Sequence, residues 1–432
     1  MSELHDLAAH DLAAAIAGGQ VSCVEVTRHF LDRVEHEELG AFITVTPEQA
    51  LARAAALDAL AEKPPFAGVP TAFKDLTSTA GVRTTMGSTL LAQNVPDHSD
   101  HLVGLIEAAG FISLGKTNTP EFGLSSYTDN DLVGPARCPA DPSRNAGGSS
   151  GGAAAAVAAK LLPLAPGSDG GGSIRIPASC CGVIGFKPSR GRVGAGPDSP
   201  TWSGLATDGV LARSVRDTAG VLDLLARPMP GSARVWPAPG VPFVETFSQE
   251  PRRLRIASWT EPHLDFVRVS AGSMAAVADA RTKLEAAGHE VVEIANPWPA
   301  ELEPQFNVVW SAGMAAVPLP AEALPLLRQN TRYWYERGGQ ASAVDLAKAM
   351  SFLELTTGSI NASLADFDLF LTPTLALPPQ PSEWFTESGD PSEAHRRELL
   401  FTPYTALMNM SGQPAISLPL HVHEGLPVGV ML

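Results

Sequence analysis

The chain has 432 residues, with 30 Lys plus Arg against 46 Asp plus Glu and a formal charge of −16, which excludes the basic footprint of a nucleic-acid binder. Hydrophobic residues make up 44% and charged residues 18%, a composition that excludes a disordered chain. No stretch approaches the roughly 20 uninterrupted apolar residues of a membrane span, and the start MSELHDLAAHDLAAAIAGGQ lacks the basic-then-apolar pattern of a signal peptide, so a cytoplasmic protein is expected.

The first sixty-odd residues predict helices. Leu7, Leu12 and Ile16 share a helical face, and a second helix spans Ser22 to His36, opened by the capping box Ser22/Glu25. A third, Ala-rich helix starts with Pro47 in its first turn, reaches about Lys63 and is stopped by Pro64 and Pro65. Residues 1–65 are thus expected to pack as a helical segment on an α/β unit of residues 66–432, the two forming one compact body. Val69–Phe73 and Phe111–Leu114 predict buried strands, with a helix over His101–Ala109 between them.

Gly, Ser and Pro dominate Gly134 to Pro200, yet Ala153–Leu162, Ile174, Ile176, Val183, Ile184 and Phe186 thread apolar residues through it. A linker would lack them, so this is backbone of unusual conformation held inside a fold. Then come a helix (Ser214–Ala226), a Pro-rich loop (Pro228–Pro242) and a strand–helix–strand unit (Leu254–Trp259, about 269–287, Glu290–Ile294). A helical region to about Ala365, the strand Leu369–Leu371, a Pro-rich loop leading to Asn409–Leu420, and a closing strand Pro427–Leu432 complete the chain. The alternation predicts an α/β protein with helices on the faces of a sheet.

Two clusters carry the chemistry: Gly147-Gly148-Ser149-Ser150-Gly151-Gly152 and Ser168-Asp169-Gly170-Gly171-Gly172-Ser173-Ile174-Arg175. Neither is a nucleotide cradle, for no G-x-x-x-x-G-K-[ST] occurs and neither shows G-x-G-x-x-G between a strand and a helix. The first satisfies G-x-S-x-G, but a nucleophile elbow needs an apolar strand before it, and Asp141–Asn145 reads as loop. Tight turns remain the plain alternative. Glycines 170–172 can turn successive N–H groups toward one point, with the Ser173 hydroxyl beside them. Acyl transfer needs such an arrangement, each oxyanion donor typically lowering the barrier by about 3 to 4 kcal/mol. The serine also needs a base. None of the eleven histidines has a recognisable catalytic setting in the sequence. Lys74 follows the apolar run 69–73, where a strand-borne lysine points inward; otherwise it is an ordinary solvated charge.

These residues resemble the amidase signature family. The resemblance runs through Gly68-Val69-Pro70, Lys74-Asp75, Gly115-Lys116-Thr117-Asn118, Glu121-Phe122, Gly134-Pro135, Asp141–Arg144, Gly147–Gly152 and Gly167–Pro177, then Gly182, Gly185–Pro188, Leu371–Thr374 and Gly412–Ala415. It implies a single mixed, twisted sheet covered by helices on both faces, and hydrolysis of a small carboxylic amide without metal or cofactor. It further implies that Ser173 is the nucleophile, that Ser149, preceded by a cis peptide bond, is a bridging serine, and that Lys74 is the base. Gly170, Gly171 and Gly172, with the Ser173 N–H, would form the oxyanion hole. Ser150, Asp169 and Arg175 would brace it, and Gly123, Leu124 and Ser125 would touch substrate. Gly170 stands where many relatives carry threonine.

Cys180-Cys181 is expected to be core packing and His421-Val422-His423 a hairpin surface rather than a metal site. Trp310, Trp334 and Tyr335 are expected to be core residues. Two activities fit: a stand-alone amidase resembling those related to 6-aminohexanoate cyclic dimer hydrolase, or the glutaminase subunit of a tRNA-dependent amidotransferase. The expected partner is a small-molecule amide, with neither nucleic acid nor membrane, and pairing into a homodimer is left open.

Overall fold

The computed structural model describes residues 3–196, 203–229, 231, 232, 234 and 236–432; Pro200 and Pro230 of the loops named above lie outside them. In chain order, α1 (Ala9–Ala17), α2 (Cys23–Glu35), β1 (Phe42–Val45), α3 (Pro47–Asp58), β2 (Pro70–Lys74), α4 (His101–Ala108) and β3 (Ile112–Thr117) build the first part. The Ser22/Glu25 capping box forms as expected. The helical reading of the first sixty residues misses β1, which pairs antiparallel with β3, while β2 pairs with β3 in parallel.

The Gly-rich middle supplies β4 (Arg137–Cys138), β5 (Asp141–Asn145), α5 (Gly151–Ala158), β6 (Leu164–Asp169), α6 (Arg175–Cys181), β7 (Ile184–Lys187) and β8 (Thr207–Ala212). Asp141–Asn145 is therefore a short strand of a two-stranded ribbon, not a loop; its partly exposed residues still make it unlike the buried strand of an elbow. Then follow α7 (Val215–Leu225), β9 (Arg255–Ser258), α8 (Ala271–Ala286), β10 (Glu290–Glu293), α9 (Leu302–Ala315), α10 (Gln329–Gln340), α11 (Ala343–Ser363) and β11 (Leu369–Pro373). The Pro-rich loop expected after β11 in fact contains three helices, α12 (Ser382–Thr386), α13 (Pro391–Phe401) and α14 (Thr405–Ser411). Pro391 stands in the first turn of α13, where its missing N–H costs nothing, so proline content misleads there. β12 (Ala415–His423) and β13 (Leu426–Met431) form the closing hairpin.

Eight strands form one mixed sheet in the order β10-β9-β11-β13-β12-β7-β8-β6, and β1-β3-β2 form a smaller one. The two meet at β2 and β6, where Thr71 Oγ1 donates to Leu164 O at 3.3 Å. This seam places the end of β2, which carries Lys74, beside the end of β6, which carries Asp169. α5, all Gly and Ala but for Val157, is buried along nearly its whole length, as expected of a helix with no polar face. The four cysteines are buried and unpaired, and among the described residues no helix is long and apolar enough to cross a membrane.

Candidate active site

β2 is buried at every position, and its last residue, Lys74, is only 2% exposed. Lys74 Nζ lies 2.8 Å from Ser149 Oγ and donates to Ser168 Oγ at 3.1 Å and Ser168 O at 3.4 Å. Burial pushes its pKa down to about 7, opposed by the carboxylates of Asp169 and Asp208. A lysine so placed is substantially neutral near neutral pH and can take a proton. The hydroxyl of Ser168, in the quoted cluster but without an assigned role, is a neighbour of the base that the sequence reading missed.

Ser149 follows a cis Gly148–Ser149 peptide bond, as the resemblance implied. Its turn is tied from three sides. Thr119 Oγ1 donates to Ser149 O at 2.9 Å, Thr128 Oγ1 donates to Gly147 O at 2.8 Å, and Asn145 Oδ1 accepts the Gly147 N–H at 2.9 Å. Gly148 packs on the backbone of Tyr127 so closely that a Cβ there would lie 2.6 Å from the Tyr127 carbonyl carbon. Ser150, fully buried, joins the two clusters: its N–H donates to Ser173 O at 3.1 Å and its hydroxyl to Ser168 O at 3.4 Å.

The second cluster turns around Asp169. Arg175, fully buried, grips its carboxylate with two bonds, Nε to Oδ2 at 3.0 Å and Nη2 to Oδ1 at 2.8 Å. Burial alone would raise the Asp169 pKa, but the Arg175 guanidinium outweighs it and holds the carboxyl at about 2. The same carboxylate accepts the N–H of Gly172 at 2.8 Å and of Ile174 at 3.2 Å. Gly172 thus departs from the expected oxyanion set, because its N–H is engaged by Asp169. The N–H groups of Gly170, Gly171 and Ser173 have no protein acceptor among the described residues. Asn409 on α14 donates to Asp169 Oδ1 at 2.9 Å and accepts from Arg175 Nη2 at 2.7 Å, and Thr405 Oγ1 donates to Gly171 O at 2.7 Å. Gly172 has φ +131°, and a Cβ on it would fall 2.2 Å from Thr405 Oγ1. Ser149 Oγ and Ser173 Oγ share no hydrogen bond here, so only the first link of the expected relay is closed.

Residues 25–432 match the family described as Amidase. The chain belongs to the amidase signature family. It is 33% identical to the acylamidase of Rhodococcus erythropolis over 99% of this chain and 92% of that one. It is 34% identical to a glutamyl-tRNA(Gln) amidotransferase subunit of Thermus thermophilus over 98% and 92%. A solved structure of 6-aminohexanoate cyclic dimer hydrolase complexed with substrate superposes with a TM-score of 0.92 at 30% identity, covering 100% of this chain and 93% of that one. The protein is an amidase, an enzyme that hydrolyses amides.

In this amidase a cavity opens on Ser173 and Gly171. Leu124 and Ser125 line it; Gly123 does not, and a Cβ added to it would lie 2.4 Å from Leu76 Cδ1 and 3.4 Å from Ser149 Oγ. Trp310 and Trp334 are wall residues rather than plain core, whereas Tyr335 does not reach the cavity. Trp310 also stands close to Gly170, where a Cβ would lie 3.1 Å from its ring. Two histidines, His263 and His395, border the cavity with Glu303, Asn307 and Glu398. The sequence reading missed all five, because they come from α9, α13 and the loop before α8, none of which carries a motif.

Proposed function

We propose that this amidase works through a Lys74–Ser149–Ser173 relay and a covalent acyl-enzyme on a small carboxylic amide. The reading is carried by one observation: a lysine shut away from water, with its Nζ 2.8 Å from Ser149 Oγ and its pKa brought to about 7. Neutral Lys74 takes the Ser149 proton while Ser149 takes that of Ser173. Ser173 Oγ then bonds to the amide carbon and the C=O electron pair moves onto oxygen, toward the N–H groups of Gly170, Gly171 and Ser173. The link between the two serines closes once substrate fills the cavity, as catalytic contacts commonly tighten on binding. The proton returns through the same relay to the leaving amine as the C–N bond breaks, and water then hydrolyses the ester.

Similarity to an amidotransferase chain raises the glutaminase alternative. Free glutamine carries an α-carboxylate that calls for a cationic partner, and no Lys or Arg lines the cavity among the described residues. This favours the stand-alone enzyme. The test is hydrolysis of a simple acyl anilide by the purified chain without partner or ATP, together with fluorophosphonate labelling. Ser173→Ala is expected to lower turnover by roughly a millionfold and to abolish labelling. Labelling that persists in Ser173→Ala refutes the assignment.

A further inference from the structure

The cavity beside Ser173 has polar groups that the relay does not use. Glu303 and Asn307 stand one turn apart on α9 and are 8% and 6% exposed. Asn307 Nδ2 donates to Glu303 Oε1 at 3.0 Å, and His395 Nε2 lies 3.3 Å from the same oxygen. The bond to Glu303 fixes the orientation of the Asn307 amide, and its Oδ1 is left buried with no hydrogen-bond partner among the described residues. Glu398 Oε1, one turn along α13 from His395, is likewise buried and unpartnered, as are both ring nitrogens of His263. Natural structures rarely leave several buried acceptors unmatched in one place unless something else fills them.

Two of the unmatched groups, Asn307 Oδ1 and Glu398 Oε1, are acceptors, while the neutral His263 ring offers one donor and one acceptor. Two carboxylates and an amide oxygen line a space without Lys or Arg among the described residues; Ser125, Ser126, Thr402 and the two histidines are its other polar neighbours, and Phe306, Trp310 and Trp334 are prominent among the apolar ones. Burial pushes the Glu398 pKa up to about 7, opposed by His395 and Ser126. Such a carboxylate lacks a full counter-charge. An ammonium group supplies both missing elements, a positive charge and up to three N–H donors.

We infer that the cavity selects amides that carry a protonated amine beyond an apolar stretch, the ammonium being held by Glu303, Asn307 and Glu398. The inference deepens the hydrolase reading and rests on it for the position of the reacting carbonyl. Its test is protection of Ser173 from fluorophosphonate by n-pentylammonium, 1-pentanol or pentanoate. The amine is expected to protect at concentrations about tenfold or more below the alcohol, and pentanoate to protect least, since a charged hydrogen bond is at stake. Glu398→Gln and Glu303→Gln should each shrink the advantage of the amine over the alcohol. Protection by the alcohol equal to that by the amine, or an undiminished amine advantage in both variants, overturns the inference. A variant that merely loosened the fold would weaken amine and alcohol alike and leave their ratio unchanged, which also counts against it. Should Ser173 fail to label at all, the hydrolase reading fails separately, and calorimetric binding of pentylammonium over pentanol still decides this one.

Discussion

The two walls that meet at Ser173 are built on opposite plans. On the relay side the network behind the glycine loop is closed: Arg175, Asp169, Asn409 and the Gly172 N–H are joined by bonds at 2.7 to 3.0 Å. On the cavity side Asn307 Oδ1, Glu398 Oε1 and the His263 nitrogens have no partner among the described residues. A satisfied network holds one geometry, which chemistry at a fixed carbonyl requires. An unsatisfied set is complementary to something that arrives later. The difference separates what the enzyme does from what it does it to.

Breaking the relay should have the largest effect. Lys74→Ala is expected to lower kcat by roughly a hundred- to ten-thousandfold while leaving KM for a neutral anilide nearly unchanged. In the proposed relay the wild-type enzyme needs its lysine deprotonated, so with a pKa of about 7 the rate should fall about tenfold per unit as pH drops below that value. A rate that stays flat down to about pH 5 contradicts the assignment.

Next comes the network behind the oxyanion loop. Asp169→Asn strips the buried Arg175 of its counter-charge and is expected to cost about 3–5 kcal/mol in urea unfolding. For the wild-type protein the sign follows from a folded pKa of about 2 against an ordinary 3.8. The contribution of Asp169 is present above pH 3.8 and is lost as pH falls toward 2. If Asp169→Asn unfolds at the same urea concentration as wild type, the closed network is not a source of stability.

The smallest effect is expected on the cavity side. Trp310→Ala opens space against Gly170 and should raise kcat/KM for branched acyl anilides over acetanilide by about tenfold, without a comparable change in Tm. A loss of activity on all anilides together would place Trp310 with the relay and erase the contrast between the walls.

The same contrast explains what could be read from the sequence. Ser149, Ser173, Asp169 and the glycines lie in two short clusters whose composition is itself the signal, and Lys74 ends an apolar run that reads as a strand. The strand–helix–strand unit around α8 and the closing strand β13 were legible in the sequence, whereas β12 was not read as a strand. The cavity groups were not. Glu303 and Asn307 look like an ordinary helical pair, and His395 and Glu398 sit in a segment that Pro content marked as loop. Only the packing of α9 against α13 brings them together. Asn409 and Thr405 escaped for the same reason: their partners lie more than 200 positions earlier. β1 was hidden because a four-residue strand between two helices is too short for a period to show.

The grip of α14 and β13 on Arg175, through Asn409 Oδ1 at 2.7 Å and Met431 Sδ at 3.2 Å, sets an order of events during synthesis. A ribosome that has delivered the chain through Lys187 has already supplied Lys74, Ser149 and Ser173, yet the brace that steadies the glycine loop is still untranslated. That brace therefore forms only once α14 and β13, whose contacts lie 234 and 256 positions beyond Arg175, have packed against it.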